Sequence, residues 1–170
     1  MARNIEIKAR IESVEALLPR AQALAAGTPE RIVQDDTFFA CPHGRLKLRD
    51  FGTGHGELIQ YERADVQGPK TSTYLRSPTT SPDSLRDALA RALGVLGRVR
   101  KQRWLLLAGR TRIHLDRVEG LGDFLELEVV LGDSEPEADG QAEANALLAR
   151  LGIDTSQLEA GAYLDLLAAR

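Results

Sequence analysis

Phe124-Leu125-Glu126-Leu127-Glu128-Val129-Val130 is the stretch whose reading decides the fold. It alternates with period two, the repeat of a β-strand and not of a helix. Glu126 and Glu128 therefore share one face, and Leu125, Leu127 and Val129 the other. Two carboxylates side by side on one face repel. Water on that face relieves the repulsion, and so does a cation or a divalent metal held between them. Alone, the stretch also fits an ordinary solvent-facing strand. The remaining strands weigh one reading against the other by how often they repeat the design.

They repeat it often. Ile5-Glu6-Ile7-Lys8-Ala9-Arg10-Ile11 sets Glu6, Lys8 and Arg10 opposite Ile5, Ile7, Ala9 and Ile11. A strand is expected over 31–40, and Arg45-Leu46-Lys47-Leu48-Arg49 alternates most regularly of all. Residues 57–63 return from it and end on Arg63, and 71–76 reads as a short strand. Lys101 and Arg103 share a face of a strand over 99–107, and Arg112, His114 and Asp116 a face of 111–118. Cys41-Pro42-His43-Gly44 is a turn. Gly52-Thr53-Gly54-His55-Gly56 is a hairpin loop; it lacks the Lys-Ser/Thr ending and the following helix of a phosphate-binding loop.

Helices are fewer. One is expected over 14–26, capped by Ser13, kinked at Pro19 and ended by Gly27. Ser81-Pro82-Asp83 opens a second over 83–93, with Leu85, Leu89 and Leu93 inside. A third spans 137–151, and Asp154 caps a last helical segment that includes Leu158, Tyr163, Leu164 and Leu167. Trp104 lies opposite Lys101 and Arg103, so it is expected on the exterior under a helix.

The chain has 170 residues, of which 43% are hydrophobic, enough for one domain over 1–170 with its own core. Its formal net charge of −3 gives no bulk attraction to nucleic acid. The basic strands also lack the interleaved aromatics on which bases stack. The single cysteine, Cys41, excludes an internal disulfide and a multi-cysteine zinc site. No apolar run approaches the ~20 residues of a membrane span, so a soluble, cytoplasmic protein is expected.

Short strands joined by hairpin-like turns favour an antiparallel sheet, and the helices are too few for a doubly wound fold. The class is α+β. The apolar strand faces are the surface on which the helices pack. The charged faces either look into water from an open sheet or point inward where the sheet curls into a barrel. Periodicity alone slightly favours the open sheet, because small barrels are normally filled by apolar side chains. Cations outnumber carboxylates on these faces in a net acidic chain, which argues for an anion site.

The ordered set of segments resembles the CYTH superfamily, the triphosphate tunnel metalloenzymes, most closely its class IV adenylyl cyclase-like branch. The segments are Asn4-Ile5-Glu6-Ile7-Lys8, Gln34-Asp35 with Phe38-Phe39, Arg45 to Arg49, Val99 to Arg103, and Leu115 to Glu128. The last, with Gly120-Leu121-Gly122-Asp123-Phe124 before its two glutamates, is the most specific. The resemblance implies an eight-stranded antiparallel barrel forming a tunnel, with helices outside. It implies that Glu6, Glu126 and Glu128, with Asp116 as a further candidate, bind Mg²⁺ or Mn²⁺. It implies that Lys8, Arg45, Lys47, Arg49, Arg63, Lys101, Arg103 and Arg112 hold triphosphate oxygens. Lys8, Arg63, Lys101 and Arg103 are the catalytic candidates among them, and Lys70, expected on a loop, is a further candidate. The family's first motif glutamate is Asn4 here, which weakens a second metal position.

These residue types suit phosphoryl transfer, which needs positioned phosphates and cations more than covalent help. ATP to cyclic AMP and pyrophosphate is the expected reaction. Hydrolysis of tripolyphosphate, thiamine triphosphate or a nucleoside triphosphate is the alternative, and a non-catalytic polyphosphate- or nucleotide-binding module the second alternative. His114 reads as a structural histidine or a phosphate contact before a general base. Phe38, Phe39 and Tyr74 are candidates to line an adenine pocket, the two phenylalanines fitting core packing better. The oligomeric state is not legible, and a homodimer stays open.

Overall fold

The computed structural model describes residues 2–170. Eight strands follow the alternation of the sequence: β1 (Ala2–Arg10), β2 (Ala26–Phe39), β3 (Arg45–Asp50), β4 (Gly56–Arg63), β5 (Lys70–Thr79), β6 (Val95–Ala108), β7 (Thr111–Val118) and β8 (Gly122–Val130). They pair in the order β5-β4-β3-β2-β6-β7-β8-β1, and β1 pairs again with β5. Every pairing is antiparallel, and the sheet closes into a ring.

The closing seam corrects the periodicity argument for an open sheet. The strand expected over 71–76 runs instead over Lys70–Thr79. One of its edges meets β4, and the other meets β1, with Asn4 opposite Ser72 and Glu6 opposite Lys70. An open sheet would leave β1 and β5 as edges with unpaired backbone groups.

Closure decides which face is inside. Leu125, Leu127 and Val129 point outward and are fully buried, together with Ile5, Ile7, Ile113 and Leu115. Helices α1 (Val14–Leu24) and α3 (Glu137–Leu151) supply the covering residues, among them Val14, Ala21, Ala144, Leu147 and Leu151. The main core thus lies between the ring and its helices, the reverse of a small barrel filled by apolar side chains. Trp104 packs against this outer core, flanked by Arg31 and Arg117 at 5.6 Å each.

Ser13 caps α1, its Oγ accepting from the Ala16 amide at 3.1 Å, and Pro19 lies inside the helix. The helix stops at Leu24, before Gly27. Gly27 instead sits at φ 77° in β2, within the register irregularity between Ala26 and Glu30. There it serves a strand bulge and not a helix end. Helix α2 (Pro82–Leu93) buries only Pro82, and Leu93 is 38% exposed. Its three leucines are therefore not core residues as expected, and Arg86 ties the helix to the sheet through Asp50 at 2.9 Å.

The C-terminal expectation also changes. Asp154 caps a single 3₁₀ turn, Thr155–Gln157, and not a helix running to Tyr163. Leu158–Glu159 then forms β9 on β1 at Lys8 and Ala9, where β5 does not reach. This delivers α4 (Tyr163–Ala168) to one end of the ring. Tyr163 joins Phe38, Val99, Val118 and Phe124 in a second apolar cluster that closes that end. No helix among the described residues is long and apolar enough to cross a membrane.

Candidate active site

The inward faces enclose a cavity of about 290 Å³ lined from all eight strands of the ring and by Ala162 and Tyr163. Its polar groups separate into a carboxylate side and a cation side. On the first, β1 and β8 lie in register with Glu6 opposite Glu128 and Lys8 opposite Glu126. Strand β7 sets His114 opposite Glu126. His114, Glu126 and Glu128 each offer one ligand atom, and these atoms lie within 4.8 Å of one another.

Burial makes these charges costly. It raises the Glu6 carboxyl, with Glu128 adding to the rise and Arg63, 3.4 Å away, opposing it. Burial also opposes ionisation of Glu126, yet Lys8 at 3.8 Å and Arg103 at 3.7 Å outweigh it and hold its pKa well below the usual range. Burial, reinforced by the Arg103 charge, pushes His114 down to about 4. The imidazole is therefore neutral at pH 7, and its Nδ1 has no hydrogen-bond partner.

The cation side is organised by one buried acid. Asp36 of β2 is 1% exposed. Arg49 donates to both of its oxygens at 2.8 and 2.7 Å, and Lys47 and Lys101 lie 3.2 and 3.3 Å from it. One carboxylate thus faces three cations. Burial lowers Lys101 to about 7, with Asp36 opposing and the Arg49 and Arg103 charges adding to the fall. Arg103 itself makes a bidentate pair with Asp116 at 2.7 Å for each bond. Arg112 donates to Glu128 at 3.0 Å. Arg63 reaches Glu6, while its buried Nε and Nη2 lack hydrogen-bond partners.

The CYTH domain family model matches residues 2–163. The chain belongs to the CYTH domain family. It is 29% identical over 173 residues to the adenylate cyclase CyaB of Aeromonas hydrophila, covering 94% of this chain and 86% of that protein. Among solved structures, PH1012 of Pyrococcus horikoshii superposes with a TM-score of 0.86 at 25% identity, over 96% of this chain and 99% of the other. HpAC1 of Hippeastrum, a protein with a dominant triphosphatase activity, has the same fold at 17% identity, with a TM-score of 0.68 over 99% and 96% of the two chains.

Most residues singled out from the sequence meet in this CYTH cavity. Glu6, Lys8, Lys47, Arg49, Arg63, Lys101, Arg103, Arg112, Glu126 and Glu128 all line it. Two do not. Arg45 points to the closed end, pairing with Asp65 at 2.5 Å and Asp165 at 3.4 Å. Asp116 lies behind Arg103, its oxygens taken by that guanidinium and by the Tyr163 hydroxyl at 2.8 Å. Lys70 is bound to the carbonyls of Val66 and Ala160. Phe39 is a core residue at 1% exposure, and Phe38 belongs to the closed-end cluster while also lining the cavity.

Asp36 and Tyr163 were not read as site residues from the sequence. Asp36 had a signal, since it shares the inward face of its strand with Gln34 and Phe38. Tyr163 had none, because it enters from the end of the ring and follows no strand periodicity. The donor set fits a hard divalent cation. The carboxylates of Glu126 and Glu128 supply the hard oxygens, no thiol intrudes, and the neutral His114 imidazole beside them is a borderline donor that Mn²⁺ accepts more readily than Mg²⁺. Asn4 also lines the cavity, and its Oδ1 is a buried acceptor with no donor.

Proposed function

We propose that the cavity binds a nucleoside triphosphate and converts it, as an adenylyl cyclase does, to a cyclic nucleotide and pyrophosphate. The observation that carries this reading is the buried opposition of the Asp36-centred cations to the group of His114, Glu126 and Glu128. Phosphate oxygens would replace water and complete the charge balance that Asp36 alone leaves unfilled.

Lys47, Arg49, Lys101 and Arg103, with Arg63 and Lys8, would grip the phosphate chain. Glu126, Glu128 and His114, with Glu6 beside them, would hold Mg²⁺ or Mn²⁺. When bound, such an ion supplies neutralisation of phosphate charge and polarisation of a phosphoryl oxygen. Arg103 and Arg49 are each fixed by two bonds to a carboxylate, so their donors are oriented before substrate arrives. Neutral His114 is suited to lone-pair donation and not to proton delivery at pH 7. In the cyclase reaction the ribose 3′-oxygen forms a bond to the α-phosphorus, the bond to the pyrophosphate oxygen breaks, and the hydroxyl proton leaves to solvent.

Ile32, Phe51, Ile59 and Leu105 line the same cavity. This apolar share gives a nucleoside a surface to pack against, which inorganic tripolyphosphate does not need, and it supports the nucleotide reading together with the likeness to CyaB. The second reading is hydrolysis, with water attacking the terminal phosphorus; the same grip serves it.

The test is product analysis with ATP, tripolyphosphate and thiamine triphosphate in the presence of Mg²⁺ or Mn²⁺. Cyclic AMP and pyrophosphate from ATP, abolished by Glu126→Gln with Glu128→Gln, is the expected result. Orthophosphate together with the matching diphosphate (ADP, pyrophosphate or thiamine diphosphate), and no cyclic AMP, would replace the cyclase by the triphosphatase. Triphosphate binding without any product would leave a binding module.

A further inference from the structure

The C-terminal segment does more than close one end of the ring. Its carbonyls and its aromatic ring touch the cations of the cavity. The Lys8 Nζ donates to the Gly161 carbonyl at 2.9 Å and lies 4.1 Å from the centre of the Tyr163 ring. The Lys101 Nζ lies 5.5 Å from the same ring. The Tyr163 hydroxyl donates to Asp116 Oδ2 at 2.8 Å, and Asp116 in turn holds Arg103 by two bonds. Asp116 is 0% exposed and Arg103 5%, so no water substitutes freely for a lost partner.

From this chain of contacts we infer that Tyr163 is a positioning residue of the triphosphate site, fixing Arg103 through Asp116. The inference rests on the reading of the cavity as a triphosphate site. Asp116 Oδ2 carries both the tyrosine bond and the Arg103 Nη2 bond, so the hydroxyl sets the angle at which the carboxylate meets the guanidinium. Without it, Arg103 has a second acid within reach. Its Nη2 lies 3.7 Å from Glu126 and can close on that carboxylate, drawing a phosphate-facing donor onto the carboxylate side. The phenol ring acts separately. Its face stabilises the Lys8 ammonium, and the ring makes a T-shaped contact with Phe124, the centroids 5.0 Å apart.

This division of labour makes the hydroxyl testable apart from the ring. Tyr163→Phe keeps the ring, the cation contact and the closed-end packing and removes only the donor. The experiment measures calorimetric binding of inorganic tripolyphosphate, with EDTA present, to four proteins: unsubstituted, Tyr163→Phe, Arg103→Ala, and the double variant. Thermal unfolding is recorded for each. Tyr163→Phe is expected to weaken binding about five- to tenfold, the scale of one buried hydrogen bond. In the Arg103→Ala background the same substitution is expected to change affinity less than twofold, because the group it positions is gone. Equal losses in both backgrounds would overturn the inference, as would unchanged affinity with only a lower unfolding temperature. Absence of tripolyphosphate binding by the unsubstituted protein would overturn the reading of the cavity itself.

Discussion

Asp36 balances three cations in the cavity with a single negative charge. Burial alone would raise its pKa, and Arg49, Lys101 and Lys47 outweigh that and hold it well below the usual range. Asp36→Asn keeps the shape and removes the charge, leaving Arg49 and two lysines buried without a carboxylate. Urea unfolding should show a loss of roughly 3–5 kcal/mol, and tripolyphosphate should raise the unfolding temperature of the variant more than that of the parent. A second expectation concerns Lys101. Its folded pKa of about 7 lies below the ~10.4 of an unfolded lysine. The protonated form therefore costs stability, fully below pH 7, and the cost fades as pH rises towards ~10.4. A polyanion reverses the preference and draws a proton in. Tripolyphosphate affinity should fall as pH rises above 7, and calorimetry at pH 8 in two buffers of different ionisation enthalpy should register net proton uptake, smaller in Lys101→Met. Uptake that is zero, or unchanged in the variant, would contradict the assignment. At this scale the sequence displayed the charged faces but not the pairings. Alternation places Lys101, Arg103 and Asp116 inside, yet which acid each cation meets depends on strand order around the ring.

β5 is the element on which the architecture turns. Its polar run, Thr71-Ser72-Thr73, has weak alternation, so the sequence marks a short strand there and leaves the sheet open. Closure comes from backbone pairing on both edges, with Thr73 opposite Arg3 on one side and Glu62 on the other. Thr73→Pro removes an amide from a strand paired on both edges, which the closing seam does not tolerate. Hydrogen exchange should show the amides of residues 2–6 losing protection, whereas Thr73→Val, which keeps the amide and the β-branch, should leave them protected. Retained protection in the proline variant would show that the seam does not depend on this pairing. The amphipathic strands β1, β3, β7 and β8 were legible because their period is short and strict. The C-terminal segment was not, because a 3₁₀ turn, a two-residue strand and a six-residue helix are each too short to show a period.

Across the whole molecule, the apolar core lies outside the ring and the charge lies inside. The formal net charge of −3 conceals this, because outward and loop carboxylates offset the cations gathered within. Low-dielectric walls around a cationic interior focus the field on a polyanion. Periodicity alone leans slightly to the open sheet, but weakly, since open and closed sheets bury the same faces against the helices. Family resemblance favoured the closed form, and the β1–β5 pairing is its physical basis.

The measurement that tests the central claim most directly is a crystal structure with Mn²⁺ and a non-hydrolysable triphosphate, using the anomalous signal to locate the metal. An anomalous peak bound by Glu126 and Glu128, with phosphate oxygens on Lys47, Arg49 and Arg103, is the predicted result. A triphosphate on the outer surface with an empty cavity, or a metal remote from both glutamates, would contradict the account.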